Sequence, residues 1–150
     1  MKAITIIQPW ATLIALGEKR FETRGWPTKH RGKLAIHAGK QVDREACEQP
    51  EIKAALARHG YTADKLPTGA VVAIAGLKEC FKVRCDLLGG VIALESETRK
   101  THFNTLDKEY AFGWYGSGRY AWELRDVKQL PEPIPARGQQ RIWNWEGSHS

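Results

Sequence analysis

Nothing in this 150-residue chain approaches the roughly 20 consecutive apolar residues that a membrane-spanning helix needs, and no membrane role is expected. The N-terminus has one lysine and then the strand-like AITII, without the apolar centre and small-residue cleavage site of a signal peptide. The cytoplasm is therefore the default location. Cysteine is scarce. Cys47, Cys80 and Cys85 leave one thiol over in any disulfide scheme, and none sits in a CxxC or a Cys/His ligand pattern. Thiols in a reducing compartment are the expectation. No carboxylate cluster or His/Asp spacing suits Mg²⁺ or Zn²⁺, so neither a metal nor a cofactor is expected. Internal repeats and low-complexity segments are also missing. Acidic residues fall short of basic ones, 17 against 23, and the net charge of +6 favours anionic partners. A basic surface that does no more than keep the chain in solution has the same composition.

What remains describes one domain over residues 1–150, with 42% hydrophobic residues and enough length for a single core. KAITII reads as a strand, and Pro9 opens a short amphipathic helix that Gly17 ends. KRFETRGW alternates in period two, which predicts Arg20, Glu22 and Arg24 on one face of a strand. A further strand is expected over Lys33–His37. Residues 43–59 are helical in composition, with Asp43 as N-cap, Gly60 as stop and Pro50 breaking the middle. AVVAIAGLKECFKV, the most apolar run, predicts a central strand, and RYAWELRDVKQL another. GGVIALE is a strand or a loop segment. The aromatic, glycine-containing stretch around 104–118 predicts a long surface loop, and residues 147–150 a frayed tail. Many short strands with few helices predict an α+β fold, a small and nearly closed β-barrel flanked by short helices, with an open α+β sandwich as runner-up.

Taken together, QPWATLIALGEKRFETRGW, HRGKLAIHAGK, PTGAVVAIAGL, RYAWEL and PIPARGQQRIWNW resemble the activating signal cointegrator homology (ASCH) domain family. Gly17, Lys19, Glu22 and Arg24 match its GxKxxExR signature, and the resemblance extends over nearly the whole chain. It implies a PUA-like β-barrel with a cleft for nucleic acid. Some family members look like nucleic-acid-binding coactivator modules. Some compact bacterial relatives are N4-acetylcytidine amidohydrolases or ribonucleases. In those amidohydrolases a threonine nucleophile stands three positions after the signature lysine. Here that position is Glu22, and Thr23 is expected on the opposite face of the strand, so the amidohydrolase mechanism does not transfer.

Lys19 suits a phosphate, or a general base if burial lowers its pKa; otherwise it is an exposed hairpin lysine. Glu22 can accept from a base edge, act with Lys19 in acid/base chemistry, or pair structurally with Arg24 or Lys19. Arg24 can grip a phosphate bidentately or orient Glu22. Trp10 and Trp26 flank the signature as stacking platforms or core. Gln8 can read a base or stabilise its own turn. Arg20 and Lys40 add charge beside the signature. Tyr115, Arg119 and Tyr120, with Trp114, belong to an aromatic loop suited to a lid, or packed on its own rings. His37 is a core or rim histidine unless the fold brings it to Lys19.

The expected function is nucleic-acid binding in a basic cleft, with RNA as the first partner and DNA as the second. Two alternatives stay open. One is a metal-independent ribonuclease or modified-nucleoside hydrolase using Lys19, Glu22 and His37. The other is an interaction module for an acidic peptide.

Overall fold

The computed structural model describes residues 1–102 and 108–147. Residues 104–107 of the expected loop and 148–150 of the expected tail lie outside the described residues. One mixed sheet organises the chain. It is built from β1 (Lys2–Gln8), β2 (Phe21–Arg24), β3 (Gly32–Val42), β4 (Ala70–Cys85), β5 (Val91–Glu95), β6 (Lys100–His102), β7 (Tyr120–Pro135) and β8 (Ile142–Asn144). The pairing order is β2-β7-β4-β3-β1-β8, with β5 branching from β4 and β6 pairing β5. β1 runs parallel to β3, and the other pairs are antiparallel.

The expected α+β class is what forms, but β2 and β8 end the sheet path without pairing to each other. The sheet is therefore not closed into a barrel, and this corrects the closure expected from the sequence. Each end strand forms its ladder with one neighbour, β2 with β7 and β8 with β1, and among the described residues no pairing joins their outer edges.

β4 became the centre for the reason its composition gives. Its first half is apolar on both faces and is flanked by β3 and β7, burying Val71, Ala73, Ala75 and Leu77. The main core joins Ala73, Ala75 and Leu77 to Ile4, Ile36 and the fully buried Trp122 of β7, beneath α1 (Trp10–Ala15), while Val71 packs in a separate cluster with Trp143 and Trp145. Pro50 divides the middle helical segment as expected, into α2 (Arg44–Cys47) and α3 (Pro50–Arg58), and the Asp43 side chain accepts from Ala46 N at 3.0 Å. GGVIALE contributes β5. Just before the expected loop the chain forms β6, and inside it a single turn of helix, α4 (Lys108–Ala111). None of the described helices is long and apolar enough to cross a membrane.

Glu18 fastens the helices to this frame. Its carboxylate accepts from Arg58 and His59 at the end of α3 and from Lys108 of α4, each at 2.9 Å. These partners, Arg58 first, lower its pKa from 4.5 to about 2. A carboxyl whose folded pKa lies below its unfolded one stabilises fully above the unfolded value, and that contribution fades as the pH falls from 4.5 toward about 2. Glu18→Gln is accordingly expected to lower the urea midpoint at neutral pH and to converge on the wild type by about pH 2, which flattens the acid limb of the midpoint against pH profile. An unaltered slope between pH 5 and 2 would show that the cluster holds nothing together.

Candidate nucleic-acid interface

The turn after α1 sets Lys19 in place. Gly17 takes the left-handed conformation at φ +77°, and the amides of Glu18 and Lys19 both donate to the Leu13 carbonyl, at 3.0 and 3.1 Å. The lysine side chain is thereby turned inward and is 1% exposed. Its Nζ donates to the Phe112 carbonyl at 2.5 Å and lies 4.0 Å from Glu22 Oε1. Burial lowers its pKa, against the opposing pull of Glu22 and Glu109.

β2 then presents Glu22 and Arg24. Arg24 Nε donates to Glu22 Oε2 at 2.8 Å, Nη2 stands at the same distance from that oxygen, and Nη2 also donates to the Thr5 carbonyl at 2.9 Å. The guanidinium thus ties the signature strand to β1 while holding one oxygen of Glu22. The other oxygen, facing Lys19 beyond hydrogen-bonding distance, keeps acceptor capacity.

These groups line an open cavity of about 920 Å³. Its aromatic walls are Trp10, Trp26 and Trp114, the last 71% exposed. Two further cations sit on aromatic faces at its rim. Arg119 lies 4.0 Å over the Trp114 ring and donates to the Trp114 and Thr23 carbonyls at 3.0 and 3.3 Å, and Arg141 lies 4.7 Å over Trp26. Stacked guanidiniums over indoles beside a buried ammonium make a surface for flat, anionic ligands.

Trp10, Lys19, Glu22, Arg24, Trp26 and Arg119 are therefore brought together as the sequence suggested. Six other candidates lie outside this cavity. The Gln8 amide is consumed locally, donating to Thr12 Oγ1 and the Pro67 carbonyl at 2.7 Å each and accepting from Thr12 N at 2.9 Å. His37 packs edge-on against Trp143; its Nε2 donates to the Ala136 carbonyl at 2.7 Å and its Nδ1 lies 3.2 Å from Thr5 Oγ1, so both ring nitrogens are engaged in the core. Lys40 is exposed on β3, whereas its neighbour Gln41 lines the cavity. Tyr115 is buried in the cluster around Phe81, and Tyr120 packs against the main core. Arg20 precedes β2 instead of sharing its face and turns toward Glu109, at 3.4 Å from Nε.

Several participants escaped the sequence. Thr23, expected to face away, also lines the cavity, because residues 111–114 fold over it and its Oγ1 accepts from Trp114 N at 3.0 Å. Arg141 sits inside the RGQQRIW stretch, a cation next to an aromatic motif and the one signal that could have found it. Glu109 is 1% exposed, accepts from Arg20 N at 2.7 Å, and has its pKa raised by burial. Among the described residues no three His, Cys, Asp or Glu side chains gather into a metal-holding group.

A family model described as ASCH domain matches residues 4–134. Activating signal cointegrator 1 of Homo sapiens is 24% identical over 143 residues, and that of Mus musculus 23%. Each match covers 93% of this chain but 21% of the relative, so the chain spans about a fifth of the length of these curated relatives. Among solved structures, ASCH from Zymomonas mobilis is similar with a TM-score of 0.48 and 17% identity, covering 89% of this chain and 72% of that one.

Proposed function

We propose, because this chain belongs to the ASCH domain family, that its cavity binds single-stranded or structured nucleic acid, with RNA as the preferred partner. One observation carries the proposal: a buried ammonium and a fork-held carboxylate lie at the base of an open cavity rimmed by two arginines on tryptophan faces. At about 920 Å³ the cavity is near the top of the roughly 300–1,000 Å³ range of small-ligand sites, and it is open enough to admit part of a polymer. Lys19, Arg119 and Arg141 supply positive charge for phosphates. Trp26 and the exposed Trp114 offer faces for bases, and Glu22 Oε1 an acceptor for a base amino group. Single-stranded rather than duplex regions fit such a site, since only unstacked bases can lie on aromatic rings.

The lowered pKa of Lys19 favours a second reading, a metal-independent ribonuclease or nucleoside hydrolase with Lys19 and Glu22 as its proton-handling pair. His37, committed to the core on both nitrogens, contributes nothing to that set. The two readings separate in one assay. Labelled single-stranded RNA and DNA are incubated with the protein at low salt in EDTA, and both mobility and strand integrity are read. A retarded, intact RNA band supports binding. Cleavage that disappears in Lys19→Met supports the enzyme, and neither a shift nor cleavage overturns both.

A further inference from the structure

A second cavity, of about 610 Å³, lies beside the first and shares no lining residue with it. The two are divided at the Lys19–Arg20 peptide: Lys19 lines the first and Arg20 the second, so the chain there forms a wall between them. The segment opposite is divided in the same way, with Glu109 in the second cavity and Ala111 to Trp114 in the first.

The second cavity is built for negative charge. Among the described residues Arg20, Arg99, Lys100 and Arg125 line it against two carboxylates, Glu109 and Glu123, an excess of two positive charges. The carboxylates are buried and act as anchors. Glu123 accepts from Arg99 at 2.7 Å and from Arg125 at 2.8 Å, while Glu109 holds Arg20 through its backbone amide at 2.7 Å and its Nε at 3.4 Å. The cations themselves are about half exposed or more. A guanidinium fixed on its inner edge and bare on its outer edge is pre-organised, so a phosphate binds it without freezing a free side chain. An ordinary solvated ion-pair network lies on a convex surface. Here the cations instead ring a concavity containing the Phe21 and Phe81 rings, and Arg99 already stacks on Phe81 at 4.8 Å.

We infer that this second cavity receives the phosphodiester backbone of the same RNA strand whose neighbouring nucleotides occupy the first, the strand crossing at the Lys19–Arg20 wall. The inference rests on the proposed RNA-binding function. It also gives a place to Arg20, the one signature-region cation that lies outside the first cavity.

The test compares a trinucleotide with a decanucleotide of single-stranded RNA in titrations over a salt series. The proteins are the wild type, Arg20→Gln/Arg125→Gln, and Lys100→Ala, whose exposed side chain can be removed without disturbing either buried carboxylate. Arg44→Ala/Lys53→Ala, on α2 and α3, controls for net charge. The expected result is at least tenfold weaker decanucleotide binding by the double Gln variant and a log Kd against log salt slope shallower by about 1.4, near 0.7 for each phosphate that is no longer neutralised. For Lys100→Ala the slope should be shallower by about 0.7, and trinucleotide binding should be unchanged in both. A decanucleotide slope equal to wild type, or a weakening matched by the α2/α3 control, would overturn the second-cavity inference and leave the first cavity standing. A wild type that binds neither RNA would overturn both.

Discussion

Lys19→Met is expected to weaken RNA binding by about ten- to a hundredfold while leaving the chain folded. The magnitude follows from removing one charge-assisted hydrogen bond, about 1.5–3 kcal/mol, at about 1.4 kcal/mol per tenfold. Methionine keeps most of the volume that the buried lysine fills, so no large cavity opens behind it. Removing the charge has two opposing effects on stability: the cost of desolvating a cation disappears, but the Phe112 carbonyl is left without its donor. Lys19→Ala adds a packing defect of about 2–5 kcal/mol and is the poorer probe of function for that reason. The pH dependence makes the assignment more specific. Burial lowers the Lys19 pKa in the folded chain, so between that value and the ordinary lysine value of about 10.4 the unfolded chain binds the extra proton. Stability contributed by this residue therefore rises with pH across that window, while RNA binding falls as the ammonium is deprotonated. Lys19→Met should abolish both trends. Wild-type affinity and salt slope in this variant would place the RNA elsewhere on the molecule.

The parts of this site that could be seen in the sequence are those fixed by interactions close along the chain. Gly17, Lys19, Glu22 and Arg24 are positioned by one helix end and one strand, and it was the resemblance to the GxKxxExR signature that grouped them, since period two joined only Glu22 and Arg24 of the four. Arg20 shows where the same logic fails. Period two joins it to Glu22 and Arg24, but the strand starts at Phe21 and Glu109, 89 residues away, holds its amide. The Phe112 carbonyl that receives Lys19 and the Trp114 amide that reaches Thr23 are likewise about 90 residues distant and carry no side-chain signal. Gln8 and His37 stayed open between a local role and a ligand role for a related reason. Each has polar atoms that could serve a ligand, and only the fold reveals that Thr12, Pro67, Thr5 and Ala136 already occupy them. At the level of the fold, the apolar run of β4 and the alternation of β7 were legible, and so was the break at Pro50. Barrel closure was not, because it depends on whether two short end strands meet rather than on the character of any one strand.

Arg24→Ala is expected to damage fold and function together, and Arg24→Lys to separate them. The guanidinium makes three contacts within 2.9 Å, two with Glu22 and one with the Thr5 carbonyl, and so joins β2, which among the described strands pairs with β7 alone, to β1 across the cavity. Truncation leaves a buried carboxylate with Lys19 at 4.0 Å as its nearest counter-charge and a carbonyl without its donor. Breaking a buried pair by removing one partner costs about 3–5 kcal/mol, and the part exposure of Arg24 reduces this to about 2–4 kcal/mol. The urea midpoint should fall accordingly. Lysine keeps the charge but has no fork, so it can satisfy Glu22 or Thr5 and not both. Its stability should lie between the wild type and alanine. If Arg24 binds phosphate itself, Arg24→Lys should retain the wild-type salt slope. If instead it orients Glu22, the slope should also hold while discrimination between amino-bearing bases and uracil weakens, because a loosened carboxylate no longer presents Oε1 in one place. Comparing oligo(C) with oligo(U) therefore decides the role: equal weakening for both assigns Arg24 to the backbone, and weakening confined to oligo(C) assigns it to positioning Glu22. No change for either, together with an unshifted midpoint, would show that the Glu22–Arg24 pair contributes to neither fold nor binding.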